Sequence, residues 1–194
     1  TTDWPSQLST DYDGDGCHDL SEDYDDDADT ILDVDDSCDK GMLNWVSDAL
    51  NDHDADGCRD SDEDYDDDAD GMCDIDGPSA DCSRGTRGQD MCPLSTIGFV
   101  SHQGNDIDGD GCEDSTEDFD DDGDGYLDEN DECPMIFGTS SQGGVLGCLD
   151  LDADGWAESV DAFVYDGTQW SDVDEDGYGD NAEGNDADGC VSIA

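Results

Sequence analysis

DIDGDGCEDSTEDFDDDGDGYLDENDECP, residues 106–134, holds the phrase D-x-D-x-D-G twice, at Asp106 and at Asp120. The phrase also starts at Asp11, Asp52, Asp66, Asp150 and Asp172, and an eighth copy at Asp25 has Thr30 in place of the glycine. Three carboxylates two residues apart, followed by a residue free to turn sharply, form the first half of an oxygen cage for Ca²⁺. The chain is rich in Asp and Gly, yet shuffling that composition gives on the order of half a copy. Seven strict copies are therefore not an effect of composition.

The rest of each loop follows the same register. In the copy at Asp106, the residues Asp106, Asp108 and Asp110 stand at positions 1, 3 and 5, Gly111 at the turn, and Glu117 at position 12. A carboxylate at position 12 binds with both oxygens, which completes a 12-residue Ca²⁺ loop. The same reading assigns Asp11, Asp13, Asp15 and Glu22; Asp25, Asp27, Asp29 and Asp36; Asp52, Asp54, Asp56 and Glu63; and Asp120, Asp122, Asp124 and Asp131. It also assigns Asp150, Asp152, Asp154 and Asp161, and Asp172, Asp174, Asp176 and Glu183. The loop with Asp66, Asp68 and Asp70 has Gly77 at position 12, so Asp76 or Asp74 is expected to substitute. About eight Ca²⁺ ions, or more, are implied.

Three pairs of loops start 14 residues apart, at Asp11 and Asp25, Asp52 and Asp66, and Asp106 and Asp120. A 12-residue loop in that spacing leaves two residues, too few for a flanking helix. Tandem loops crowd like charges: two carboxylates ~4 Å apart cost about 4 kcal/mol at an effective dielectric of 20. Bound cations are expected to offset this and to order the backbone.

Composition agrees that a core must be built by other means. Leu, Ile, Val and Phe make up 28 of 194 residues, and the formal charge is −56, with Lys40, Arg59, Arg84 and Arg87 the positive residues. Such a chain would be disordered on composition alone; the fixed spacing of its acids argues otherwise. The same charge excludes direct binding to nucleic acid or an anionic bilayer, and no apolar run approaches the roughly 18 residues of a membrane span. No nucleophile–base constellation is visible, so an enzyme is not expected.

The ten cysteines contain no C-x-x-C, and the histidines have no zinc-finger spacing. Disulfides in an oxidising compartment are expected instead. Cys17 to Cys38 and Cys112 to Cys133 are both 21 residues apart at equal positions in equal units, which points to two equal bridges. Among Cys58, Cys73, Cys82 and Cys92, either 58–92 with 73–82 or 58–73 with 82–92 is open, and Cys148 and Cys190 are left to pair.

Tandem Asp-rich loops punctuated by cysteines resemble thrombospondin type 3 repeats, most clearly at DGDGYLDENDECP (122–134) and in the D-x-D-x-D-G-x-x-D cores. The resemblance covers residues 11 to 190 and implies an irregular, elongated array that wraps a line of Ca²⁺ ions. It also implies disulfides between cysteines close in sequence, in an extracellular or cell-surface setting. The cysteine–proline pair survives at Cys92-Pro93 and Cys133-Pro134, whereas the 14-residue doublet is this chain's own pattern.

The expected fold is thus an irregular, metal- and disulfide-stabilised repeat array with little regular secondary structure. Its expected divisions are an N-terminal segment (1–10), three calcium repeat units (11–43, 44–97 with a Cys-rich insertion, and 98–138), and two further loops with a C-terminal half-site (139–194). The start TTDWP reads as a processed or partial chain. The half-site at 184–190 reads either as the start of a longer array or as a site completed by a neighbour. Trp4, Trp45 and Phe99 each lie seven residues before the first Asp of a unit and are expected to pack as small satellite cores. The expected function is a secreted Ca²⁺-rigidified rod, stalk or filament subunit that self-associates or joins other extracellular proteins. The alternatives are a calcium-dependent adhesion or docking module and an acidic calcium-storage or mineral-binding protein.

Overall fold

The computed structural model describes residues 4–74, 82–85 and 87–187. Among them there is no helix and no extended strand; two isolated bridges, Met72 with Ser83 and Gly179 with Ala187, are the β pairings. The backbone itself explains this. Position 4 of every loop has positive φ, at Gly14, Ala28, Ala55, Ala69, Gly109, Gly123, Ala153 and Glu175. So does position 6, from Gly16 (96°) to Gly177 (90°), including Thr30 at 90°. Two left-handed residues with one between them prevent either helix or strand from continuing.

Each loop is closed by one repeated backbone bond. The N–H of position 9 donates to the carbonyl of the residue before position 1: Asp19 to Thr10, Asp33 to Tyr24, Asp60 to Asn51, Asp74 to Tyr65, Asp114 to Asn105, Asp128 to Phe119, Glu158 to Leu149 and Asp180 to Ser171. The position-9 carboxylate then accepts from the N–H of position 2, as in Tyr12 to Asp19, His53 to Asp60 and Asp121 to Asp128.

The chain forms two compact units, one of Thr1–His102 with Gly109–Glu113 and the other of Gln103–Asp108 with Asp114–Ala194. What they bury is unusual. Asp27, Asp29, Asp52 and Asp70 are at most 1% exposed, while Leu20, Leu50 and Val34 are 85–93% exposed. Phe99 is buried, but Trp4 and Trp45 are half-buried, so the expected satellite cores are small. Trp4 packs edge-on to His18, and Trp156 stacks on Trp170 with ring centroids 6.2 Å apart.

Among the described residues four disulfides staple this framework: Cys38–Cys58, Cys73–Cys82, Cys92–Cys112 and Cys133–Cys148. The expected 17–38 and 112–133 bridges are not formed, and of the two alternatives for the middle unit, the 73–82 bridge alone is found. Cys148 pairs with Cys133 rather than Cys190, which lies outside the described residues. The reason is a backbone bond beside each bridge. Ser37 N–H donates to Asp56 O, Met91 to Asp110 and Glu132 to Leu146. Each sets the cysteine that follows the donor beside one two residues past the acceptor. The bridges therefore join successive loops rather than the ends of one unit, and Cys17 is a free thiol. Four disulfides fit an oxidising, extracellular environment, and no helix among the described residues is long and apolar enough to cross a membrane.

Candidate metal centres

Within a loop, each carboxylate commits one oxygen to a backbone N–H. The position-1 Asp accepts from position 6, as Gly57 to Asp52, Gly71 to Asp66 and Gly125 to Asp120. The position-5 Asp accepts from position 7, as Ile31 to Asp29, Cys58 to Asp56 and Tyr126 to Asp124. These bonds fix the carboxylate planes; Asp27, Asp52 and Asp124 take a further donor on the other oxygen, from Gly41, Asp56 and Gly138, whereas other loop aspartates leave the second oxygen over. That second oxygen is buried without a hydrogen-bond donor at Asp25 (Oδ1), Asp29 (Oδ2), Asp66 (Oδ1), Asp120 (Oδ1) and Asp154 (Oδ2). Burying an ionised oxygen without a partner is among the most costly arrangements in a protein. A cation removes that cost.

The groups Asp11–Asp13–Asp15, Asp25–Asp27–Asp29 and Asp52–Asp54–Asp56 each bring three carboxylate oxygens within 4.8 Å of one another, a set able to hold a metal ion. Hard oxygen ligands suit Ca²⁺. The crowding also shows in proton affinity. Burial, then the neighbouring acids, pushes Asp29 up to about 6 and Asp54 and Asp66 up to about 7.

The closing carboxylates fall into two classes. Asp36, Asp131 and Asp161 stand at position 12, each accepting from the N–H two residues on, at Cys38, Cys133 and Phe163. Burial first, then the charges of Asp29 and Asp27, pushes Asp36 up to about 7. Burial and Asp124 and Asp120 raise Asp131, and burial with Asp152 and Asp150 raises Asp161.

In the first loop of each doublet the residue one step later takes this place. Asp23 accepts from Asp25 N–H, Asp64 from Asp66 and Asp118 from Asp120. Asp13 feels Asp23, and Asp54 feels Asp64. Glu22 is exposed, whereas Glu63 lies against Gly41 beside Asp27 and lines one cavity with Asp54, Asp56 and Asp64. The cause is a tight turn: the N–H groups of Ser21, Glu22 and Asp23 all converge on His18 O, and those of Asp62, Glu63 and Asp64 on Arg59 O. In the first loop this winds Glu22 outward and Asp23 inward.

The Asp66 loop is closed by a residue that sequence reasoning missed. Asp90 accepts from Cys92 N–H, as Asp36 does from Cys38, and burial together with Asp70, Asp68 and Asp74 pushes it up to about 8. Asp74 is taken by its position-9 bond to Asp67 N–H, and Asp76 lies outside the described residues. The detectable signal is the D-x-C step outside the D-x-D-x-D-G phrase, common to Asp36-x-Cys38, Asp90-x-Cys92 and Asp131-x-Cys133.

The copy at Asp106 is divided between the two units. Asp106 is buried in one, where Ile107 N–H donates to Asp114; in the other, Asp110 accepts from Cys112 N–H. Glu117 is half-buried beside Asp118 in the chain, and Asp108 lies with Asp106. At Asp120, burial first and then Asp124 push Asp122 up to about 6. Asp150 accepts from Gly155 N–H, and Asp152 and Asp154 hold the loop's inner side. The Asp172 loop is the open one: Asp174, Asp176 and Glu183 are exposed, although Asp172 still accepts from Gly177 N–H. Buried Gln169 orders this end instead, donating to Asn181 O and Asn185 O and accepting from Asn181 N–H.

No protein-family model matches the chain, and no curated protein matches it. The chemistry of the loops therefore stands on their own geometry.

Proposed function

We propose that this chain is an extracellular Ca²⁺-binding structural protein of the thrombospondin type 3 repeat kind, a rod, stalk or filament subunit rigidified by its ions. The observation that carries the reading is the buried carboxylate oxygen with no hydrogen donor, which recurs at Asp25, Asp29, Asp66, Asp120 and Asp154. Ca²⁺ supplies two positive charges and accepts six to eight oxygens, which matches three or four carboxylates with a backbone carbonyl. The bridges 38–58, 92–112 and 133–148 support the mechanical part of the reading, because each ties one loop to the next. Order imposed by an ion in one loop is then passed along the chain, and head-to-tail association would extend it between copies.

The test is hydrodynamic. Stripping the ions from the oxidised protein should raise its Stokes radius and abolish the near-ultraviolet circular dichroism of its tryptophans, and Ca²⁺ should restore both. A radius and spectrum that ignore chelation would defeat the proposal.

A further inference from the structure

Where two loops of a doublet meet, a second kind of acidic group is formed. In the first doublet it comprises Asp19, Asp23 and Asp26, and in the second Asp60, Asp64 and Asp67; in each, three carboxylate oxygens lie within 4.8 Å of one another. These are positions 9 and 13 of the first loop and position 2 of the second, not the 1, 3, 5 set of either loop.

The first of these groups already holds a cation. Lys40 Nζ lies 2.6 Å from Asp19 Oδ2 and 2.6 Å from Asp26 Oδ2, with the ring of Tyr12 beneath it at 5.6 Å. Asp26 is 6% exposed, and its other oxygen, Oδ1, is buried with no hydrogen-bond partner.

The second group sits in the same frame with the lysine removed. Tyr12 Oη donates to Gly41 O at 3.0 Å, and His53 Nε2 donates to Ser95 O at 3.1 Å. Gly41 N–H donates to Asp27 Oδ2, and Ser95 N–H to Asp68 Oδ2. Tyr12 and His53 are both position 2, and Asp27 and Asp68 both position 3, so Gly41 and Ser95 are equivalent. The residue before each is then Lys40 in one case and Leu94, 59% exposed, in the other. Asp64 keeps a buried oxygen, Oδ2, without a donor, and Arg59, the basic residue of that stretch, is engaged by Asp62.

The geometry points to the junction Asp60–Asp64–Asp67 as a further divalent-cation site that shares Asp64 with the first loop of its doublet, and in which a free ion takes the place that Lys40's tethered ammonium holds in the first doublet. Ca²⁺ fits, because an oxygen-only group open on one side lets water complete the shell. In the third doublet the charges of Asp114 and Asp118 bear on Asp121, and Met135 precedes Ile136, whose N–H bonds Asp122.

This inference rests on the calcium reading of the loops, and the experiment separates the two. Bound Ca²⁺ per chain is counted by native mass spectrometry on the oxidised full chain, for wild type, Leu94→Lys, Lys40→Leu and, as a charge control at an 83% exposed position of the other unit, Tyr165→Lys. Leu94→Lys should hold one ion fewer, Lys40→Leu one more, and Tyr165→Lys the same number as wild type. A count unchanged in either of the first two, or lowered equally by Tyr165→Lys, overturns the junction site while leaving the loops intact. A wild-type chain that binds no Ca²⁺ overturns both readings.

Discussion

The Asp36 carboxylate packs against Gly57, so the residue that closes one loop occupies the space a side chain would need at the turn of the next. Asp90 packs on Gly111 in the same way. Gly57 also has φ of 90°, so it answers two demands at once. Gly16 has φ of 96° with open space around it. Gly16→Ala should therefore cost about 1–2 kcal/mol of backbone strain. Gly57→Ala should cost more and weaken calcium binding as well, because Asp36 must move. Urea unfolding in saturating Ca²⁺ ranks the two; equal losses would refute the contact.

Thr30 is the exception among the turn residues, a β-branched side chain at φ 90°. Its N–H still donates to Asp25 Oδ2, so the loop forms despite the strain. Thr30→Gly should raise stability by about 0.5–1 kcal/mol after the entropy of glycine is subtracted. A destabilised variant in the same urea assay would show that the hydroxyl has a role.

The shift of the closing residue can be read from paired variants. Asp23→Asn should weaken one calcium site by about tenfold or more, whereas Glu22→Gln should leave the titration unchanged. Asp90→Asn should remove a site as completely as Asp131→Asn does. Isothermal titration separates these outcomes, and an effect of Glu22→Gln matching that of Asp23→Asn would return the ligand role to position 12.

Much of this was legible beforehand, and the boundary is physical. The carboxylates at positions 1, 3 and 5 and the turn at position 6 are set by bonds within six residues, so local spacing reveals them. The choice between Glu22 and Asp23 depends on three N–H groups sharing His18 O, and spacing does not encode that. The disulfides depend on bonds between loops, such as Ser37 to Asp56. Two equal separations of 20, Cys38–Cys58 and Cys92–Cys112, were in the chain beside the two of 21, and nothing local favours one set.

Protons compete for the same oxygens. Burial and like charges push Asp36, Asp54 and Asp66 up to about 7 and Asp67 and Asp90 up to about 8, against about 4 in the unfolded chain. Between those values the folded, metal-free state binds more protons than the unfolded one, so its stability is greatest below pH 4 and falls as pH rises through 7 to 8. Calcium affinity should climb across the same interval as the protons leave. Tryptophan fluorescence of the metal-free protein from pH 4 to 9 tests the sign; a fold that tightens with rising pH would contradict it.

Peptide mapping without reduction should recover Cys38 joined to Cys58 and Cys92 joined to Cys112, with Cys17 open to alkylation after denaturation. Replacing Cys38 and Cys58 by serine should cost about 3 kcal/mol, the value for a closed ring of this length. A recovered 17–38 peptide would reverse the pairing.

Asp90 reaches the Asp66 loop because the chain leaves and returns at one place. Cys73 N–H donates to Ser83 O, Cys73 O accepts from Asp90 N–H, and the 73–82 bridge clamps the exit. The two ends of the intervening stretch, Cys73 and Cys82, are thereby held at one place. Foreign sequence spliced between Cys73 and Cys82 would begin and finish at that one fixed place, which makes this the natural graft point for displaying a peptide from the chain.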